Sequence, residues 1–129
     1  VIAADTIVVC HGQVLGKPKD EDEALSMLTL LSGTDHQVMT GLTVLRDDQC
    51  LVTTEVTDIH FRPLSRKEIL AYIATKEPMD KAGAYGIQGG AALFAEKMVG
   101  DYYNVMGLPV CRLGQILKKL APEIMEETL

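Results

Sequence analysis

The opening stretch constrains the fold of this chain most. Within residues 1–10, Val1, Ile2, Ala3, Ala4, Ile7, Val8 and Val9 leave almost no polar alternation. A continuous, largely β-branched run of this kind reads as an interior strand buried on both faces. Asp5 interrupts it. A bare carboxylate inside a central strand is costly to bury unless it is paired or binds a metal. Two readings follow. Either the strand ends at Asp5 and Thr6 turns outward, or Asp5 is functional, a carboxylate on a rigid strand placed to hold Mg²⁺ or to orient a water.

The remainder reads as strands interleaved with helices. His11-Gly12-Gln13 suits a hairpin turn, and Pro18, after Gly16-Lys17, stops regular pairing because proline has no N–H to donate. Residues 20–31 read as a helix: Asp20, Glu21, Asp22 and Glu23 favour its N-terminal end, Ala24, Met27, Leu28 and Leu31 share a face, and Gly33 is a stop. Residues 36–46 and 50–62 read as strands around a turn at Asp47-Asp48-Gln49. In the second strand Val52 and Val56 share one face and Ile59 and Phe61 the other, which predicts a bulge or a change of buried face. Ser65 and Glu68 form a capping box ahead of Ile69, Tyr72 and Ile73. Residues 77–88 lack periodicity and read as loop with one helical turn. Residues 91–99 read as a strand, and residues 109–120 as a last helix with Val110, Leu113, Leu117 and Leu120 on one face. This order predicts an α/β fold, a mixed sheet flanked by helices, in one domain over residues 1–129.

Composition narrows the function. Apolar residues make up 47% and charged residues 23%, which excludes a disordered or low-complexity segment. Lys and Arg number 12 against 18 Asp and Glu, a net charge of −6, which argues against broad nucleic-acid binding. An anionic ligand then needs local cations or a metal. No apolar run approaches the roughly 18 residues of a membrane span. Cys10, Cys50 and Cys111 are odd in number and far apart, which argues against a disulfide framework or zinc cluster and for a reducing, cytoplasmic setting.

Three further segments carry candidate chemistry. Lys17, between Gly16 and Pro18, is a candidate phosphate contact, or else a solvated loop lysine. Glu77, Asp80 and Lys81 precede Gly83, Tyr85, Gly86, Gln88, Gly89 and Gly90. Glycines there permit close backbone approach, so the loop can cradle a phosphate or read a base edge. The spacing of a Walker loop is absent, and a tight turn with an exposed Asp–Lys pair is the alternative. Asp101 and Asn104, in Gly100-Asp101-Tyr102-Tyr103-Asn104, read as a turn into a helix. His11, His36 and His60 show no metal-ligand spacing, and no cysteine has the signature of a nucleophile.

Taken together, Ala4-Asp5-Thr6-Ile7-Val8, Gly16-Lys17-Pro18, Leu31-Ser32-Gly33, the stretch Glu77-Pro78-Met79-Asp80-Lys81-Ala82-Gly83-Ala84-Tyr85-Gly86-Ile87-Gln88-Gly89, and Gly100-Asp101-Tyr102 with Gly107-Leu108-Pro109 resemble the Maf family of nucleoside triphosphate pyrophosphatases. The resemblance implies a twisted mixed sheet of the Maf and inosine triphosphatase type. It implies hydrolysis of a nucleoside triphosphate to monophosphate and pyrophosphate with a divalent cation, Mg²⁺ or Mn²⁺. In it Asp5 matches the catalytic carboxylate and metal ligand, Lys17 and Lys81 match catalytic cations, and Thr6, Asp80 and Gln88 match substrate-binding positions. The Thr6 and Gln88 pairing resembles the dTTP/UTP branch rather than the 7-methyl-GTP branch. A nucleotide-binding regulator of septum formation without turnover is the other implied role, and a homodimer is admitted. The family's opening strand, loop and helix with a Ser-Pro-Arg-Arg motif do not precede Val1, so the domain is expected to be N-terminally incomplete, which puts the activity of the sequence as given in question.

Overall fold

The computed structural model describes residues 1–128. Five strands, β1 (Ile2–Cys10), β2 (Gln13–Leu15), β3 (Asp35–Arg46), β4 (Gln49–Phe61) and β5 (Ala95–Val99), form one sheet in the order β2-β1-β3-β4-β5. The helices are α1 (Glu21–Leu31), α2 (Arg66–Ala74), α3 (Tyr102–Val105), α4 (Val110–Leu120) and α5 (Pro122–Thr128). The layering of helices on a sheet is the α/β architecture expected, and the five strands pair antiparallel throughout.

Local chemistry explains most boundaries. His11 and Gly12, at φ 51° and 73°, make the two-residue turn between paired Cys10 and Gln13, the mirror-image turn that suits the right-handed twist of a hairpin. Asp20 caps α1 by accepting the Glu23 N–H at 2.8 Å. Ser65 and Glu68 close the capping box of α2 in both directions. Asp101 caps α3, accepting from Tyr103 N at 2.7 Å and Asn104 N at 3.3 Å.

Side chains alternate along each strand, and one face of the sheet takes the helices. Val8 and Cys10, Val38, and Ile59 and Phe61 pack with Leu28 and Leu31 of α1 and Ile69, Tyr72 and Ile73 of α2. Farther along the same face, Leu42 and Val44 meet Ile116 and Leu120 of α4. Arg46 secures that end by donating to Leu120 O at 2.7 Å.

Four expectations change. The strand over residues 1–10 is not buried on both faces: Ile2, Ala3, Ala4, Asp5 and Ile7 are exposed, because β2 pairs only with Val8, Val9 and Cys10 and the helices occupy the other face. Val52 and Val56 require no bulge against β3, since β3 and β4 keep continuous register, and the irregularity falls at His60/Phe61 against β5. The strand read over residues 91–99 shortens to β5, because Gly90–Leu93 forms a 3-10 turn. Val110, placed on the apolar face of the last helix, is exposed, and Ile116 is buried instead.

Candidate active site

A cleft of about 490 Å³ opens where β1, the segment after α2 and the end of α3 meet. Thr6, Val8 and Val38 form its sheet wall. Glu77, Asp80, Lys81, Tyr85, Gly86, Gln88 and Gly89 form the opposite side, and Val105, Met106 and Gly107 close one end. Apolar walls with a few convergent polar groups are the usual make-up of a small-molecule site.

The loop side is held by tight backbone fits. Gly83 lies at φ 73°, and a β-carbon there would sit 2.9 Å from Val8 Cγ1, so only glycine lets this turn lie against β1. Its N–H donates to Gly16 O at 3.0 Å, which brings the segment before Lys17 against the loop. Glu77 turns its carboxylate toward the glycines: Oε2 accepts the Gly90 N–H at 3.3 Å, and a β-carbon at Gly89 would overlap the carboxylate. Lys81 and Asp80 stand at the rim with Nζ and Oδ1 4.0 Å apart.

The sheet wall is a buried polar network. Thr6 Oγ1 and Thr40 Oγ1 share a hydrogen bond of 2.8 Å, and Thr40 Oγ1 donates to Asn104 O at 3.2 Å. Asn104 is fully buried and donates from Nδ2 to Val38 O, Glu55 O and Thr57 Oγ1 at 3.0–3.2 Å. It is thus a structural residue that docks α3 on the sheet. Beneath the cleft His36 Nε2 and Tyr85 Oη share a hydrogen bond of 2.6 Å, and His36 packs edge-on against Phe61. Burial lowers the His36 pKa to about 4, against the opposing pull of Asp35, so the ring is neutral at pH 7. Burial raises the Tyr85 hydroxyl, which stays protonated.

The structure gathers Thr6, Asp80, Lys81 and Gln88 around one cleft. It does not gather Asp5 and Lys17 with them. Lys17 is exposed beyond β2 and does not line the cleft. Asp5 is opposite Gly41 in the β1–β3 register and, by strand alternation, faces away from Thr6 and Val8. It is exposed, so it is not the poorly solvated carboxylate that its sequence context suggests. Thr40 was missed by sequence reasoning, because its contact with Thr6 exists only once the register is known. Met106 and Gly107 were visible as a Gly-Pro-flanked turn but carry no polar signal. Among the described residues no three His, Cys, Asp or Glu side chains group as a metal cage, and no helix is long and apolar enough to cross a membrane.

Sequence relatives place the chain in a family. The chain is 58% identical over 120 residues to a dTTP/UTP pyrophosphatase of Alkaliphilus oremlandii, covering 92% of this chain and 62% of the relative. It is 57% identical over 117 residues to one of Symbiobacterium thermophilum, covering 91% and 60%. It is 52% identical over 120 residues to one of a Geobacillus species, covering 93% and 64%. The chain therefore spans about three-fifths of the length of these curated relatives. A profile described as Maf-like protein matches residues 1–120, and the chain belongs to the Maf family.

Proposed function

We propose that the protein hydrolyses pyrimidine nucleoside triphosphates, dTTP and UTP, to the monophosphate and pyrophosphate. The observation that carries the reading is the convergence on one cleft of Thr6, from β1, with Asp80, Lys81 and Gln88, from the segment after α2. The Gln88 amide offers both a donor and an acceptor, matching the O4 and N3–H edge of uracil or thymine. Thr6 supports that edge with a hydroxyl oriented by Thr40. Lys81 at the rim meets phosphate oxygens as a point charge, and Lys17 lies on the segment joined to the same loop through Gly16.

In the reaction a water oxygen bonds to the α-phosphorus, the α–β anhydride bond breaks, and pyrophosphate leaves with that electron pair. Asp5 takes the water's proton in this reading. Asp5 lies on the other face of β1 from the cleft, so in this reading the triphosphate has to pass the edge of β1 at Ile2–Ile7 for the two to meet. A divalent cation fits the donor set as a companion of the triphosphate: Asp80 is a single exposed carboxylate, and Mg²⁺ is ordinarily held by one or two carboxylates plus phosphates and water. When bound, such a cation would neutralise phosphate charge and acidify a water; Asp80 would hold it from the cleft side, and Asp5, on the opposite face of the sheet, does not face that position.

The test is product analysis of the protein at its native length with dTTP, UTP, dCTP, ATP and 7-methyl-GTP, with and without Mg²⁺. Monophosphate and pyrophosphate in equal amounts from dTTP and UTP support the reading. Release of orthophosphate, or turnover confined to 7-methyl-GTP, overturns it. A second reading, nucleotide binding without turnover as a regulator, is favoured by the position of Asp5 on the face away from the cleft. Tight dTTP binding with no product identifies that case. In either reading the protein operates as a dissolved cytoplasmic protein.

A further inference from the structure

We propose that Tyr72 and Glu77 are positioning residues that clasp the loop 86–90 at both ends and thereby set base selectivity through Gln88. This rests on the reading of the cleft as a nucleoside triphosphate site and adds to it two residues outside the substrate contacts assigned above.

Tyr72 sits on the buried face of α2 between Ile69 and Ile73, and its ring meets Phe94 edge-on at 5.2 Å. A phenylalanine would fill that space equally well. The hydroxyl instead leaves the core and accepts the Gly86 N–H at 3.0 Å. Burial keeps it protonated, and the neighbouring Glu77 carboxylate, as charge and as hydrogen-bond partner, acts in the same direction. It therefore has a proton to offer the carboxylate while accepting from the loop.

Glu77 begins the 3-10 turn Glu77–Asp80 and is half-buried. A carboxylate at this point has solvent available, yet it lies in the concavity of the loop. Its Oε2 accepts from Gly90 N, and its Oε1 would be 3.0 Å from a β-carbon at Gly86. At Gly90 a β-carbon would stand 3.2 Å from the Tyr72 ring. The glycines are thus the space that lets one ring and one carboxylate reach the backbone. Between the two anchored amides, Gly86 and Gly90, lies Gln88, exposed toward the cleft. A turn bond from Gly89 N to Gly86 O at 3.1 Å makes the segment one unit, so its anchors decide where the Gln88 amide points. Base reading depends on the direction of that amide, and a loop free to rotate presents donor and acceptor indiscriminately.

The test uses Tyr72→Phe, which removes one oxygen and keeps the packed ring, together with Glu77→Ala and Glu77→Gln. In amide hydrogen exchange without nucleotide, Tyr72→Phe should speed exchange at Gly86, and Glu77→Ala at Gly90. Glu77→Gln retains an acceptor oxygen and should restore much of the protection. In kinetics, the kcat/KM preference for dTTP over dCTP should narrow by ~10-fold in Tyr72→Phe, the scale of one hydrogen bond, mostly through KM. Adding Gln88→Ala should then cost less than it does in the parent protein. Unchanged exchange at Gly86 and Gly90 overturns the clasp. Faster exchange with an unchanged dTTP to dCTP ratio overturns its role in selectivity. A parent protein that hydrolyses none of these nucleotides defeats the preceding functional reading and the selectivity role, while the clasp still stands or falls on the exchange data.

Discussion

One face of the sheet is packed by α1, α2, α3 and α4, and the other carries Ile7, Val9, Met39, Val52, Val56 and Val99 exposed or half-exposed. The two faces are comparably apolar in sequence and differ in what covers them. On the covered face even polar groups are buried, and they are joined into the Thr6–Thr40–Asn104–Thr57 network. On the bare face Asp5, opposite Gly41, and Asp58, opposite Val99, are both exposed to water. Adjacent residues of one strand therefore live in different media. Thr6 lines the cleft, while Asp5, one position earlier, does not.

Substitutions that pair the two faces sharpen the comparison. The largest effect is expected on the covered side. Ile59→Ala empties a fully packed site and should cost about 2–5 kcal/mol, read from chemical denaturation. An outcome near 0.5 kcal/mol would mean that this face is not the core. Acid comes next. His36 is held neutral with its pKa lowered from 6.5 to about 4. At low pH the unfolded chain binds a proton there that the folded chain does not, so stability is intact above about pH 6.5 and falls as pH drops toward 4. The loss should approach ~3 kcal/mol. His36→Gln should flatten that part of the stability–pH curve, and a curve with unaltered slope would remove His36 as the cause.

Asp5→Asn probes the bare face through chemistry. Turnover should fall by ~10²-fold, the scale of a general base, with almost no change in melting temperature because the carboxylate is exposed. Near-normal turnover would restrict the chemistry to the cleft side. The smallest effect belongs to Val56→Thr, which alters a half-exposed bare-face position and should stay within about 0.5 kcal/mol. A loss of several kcal/mol there would show that the bare face is covered in solution.

Much of the fold was legible because its signals are local. Asp20, Ser65 with Glu68, and the His11-Gly12 turn act within a few residues of themselves, and each does what its side chain or backbone dictates. The apolar run before Cys10 revealed a strand, and two-sided hydrophobicity could not reveal which side the helices choose. That depends on the register with β3 and on the direction in which α1 returns. The cleft was legible in part for the same reason. Asp80, Lys81 and Gln88 are neighbours in sequence, so their convergence is local, whereas Thr6 joins them only through Gly83 pressing on Val8. Tyr72 was readable only as an apolar core position, because a hydroxyl that leaves the core looks in sequence like any other residue on the helix face.

Among the described residues β1 has no second partner strand along Ile2–Ile7, and this bears on how copies of the described fold meet. The opposite border, β5, is five residues long and carries Glu96 and Lys97, features that discourage a second chain from adding there. Along Ile2–Ile7 the only charge is Asp5. The chain thus combines a short-range, directional stickiness with the long-range repulsion of a net charge of −6. That repulsion reaches about 10 Å in 0.1 M salt and only about 3 Å in 1 M salt. In colloidal terms, ionic strength rather than temperature is the control variable: dilute buffer keeps particles apart, and concentrated salt weakens that repulsion.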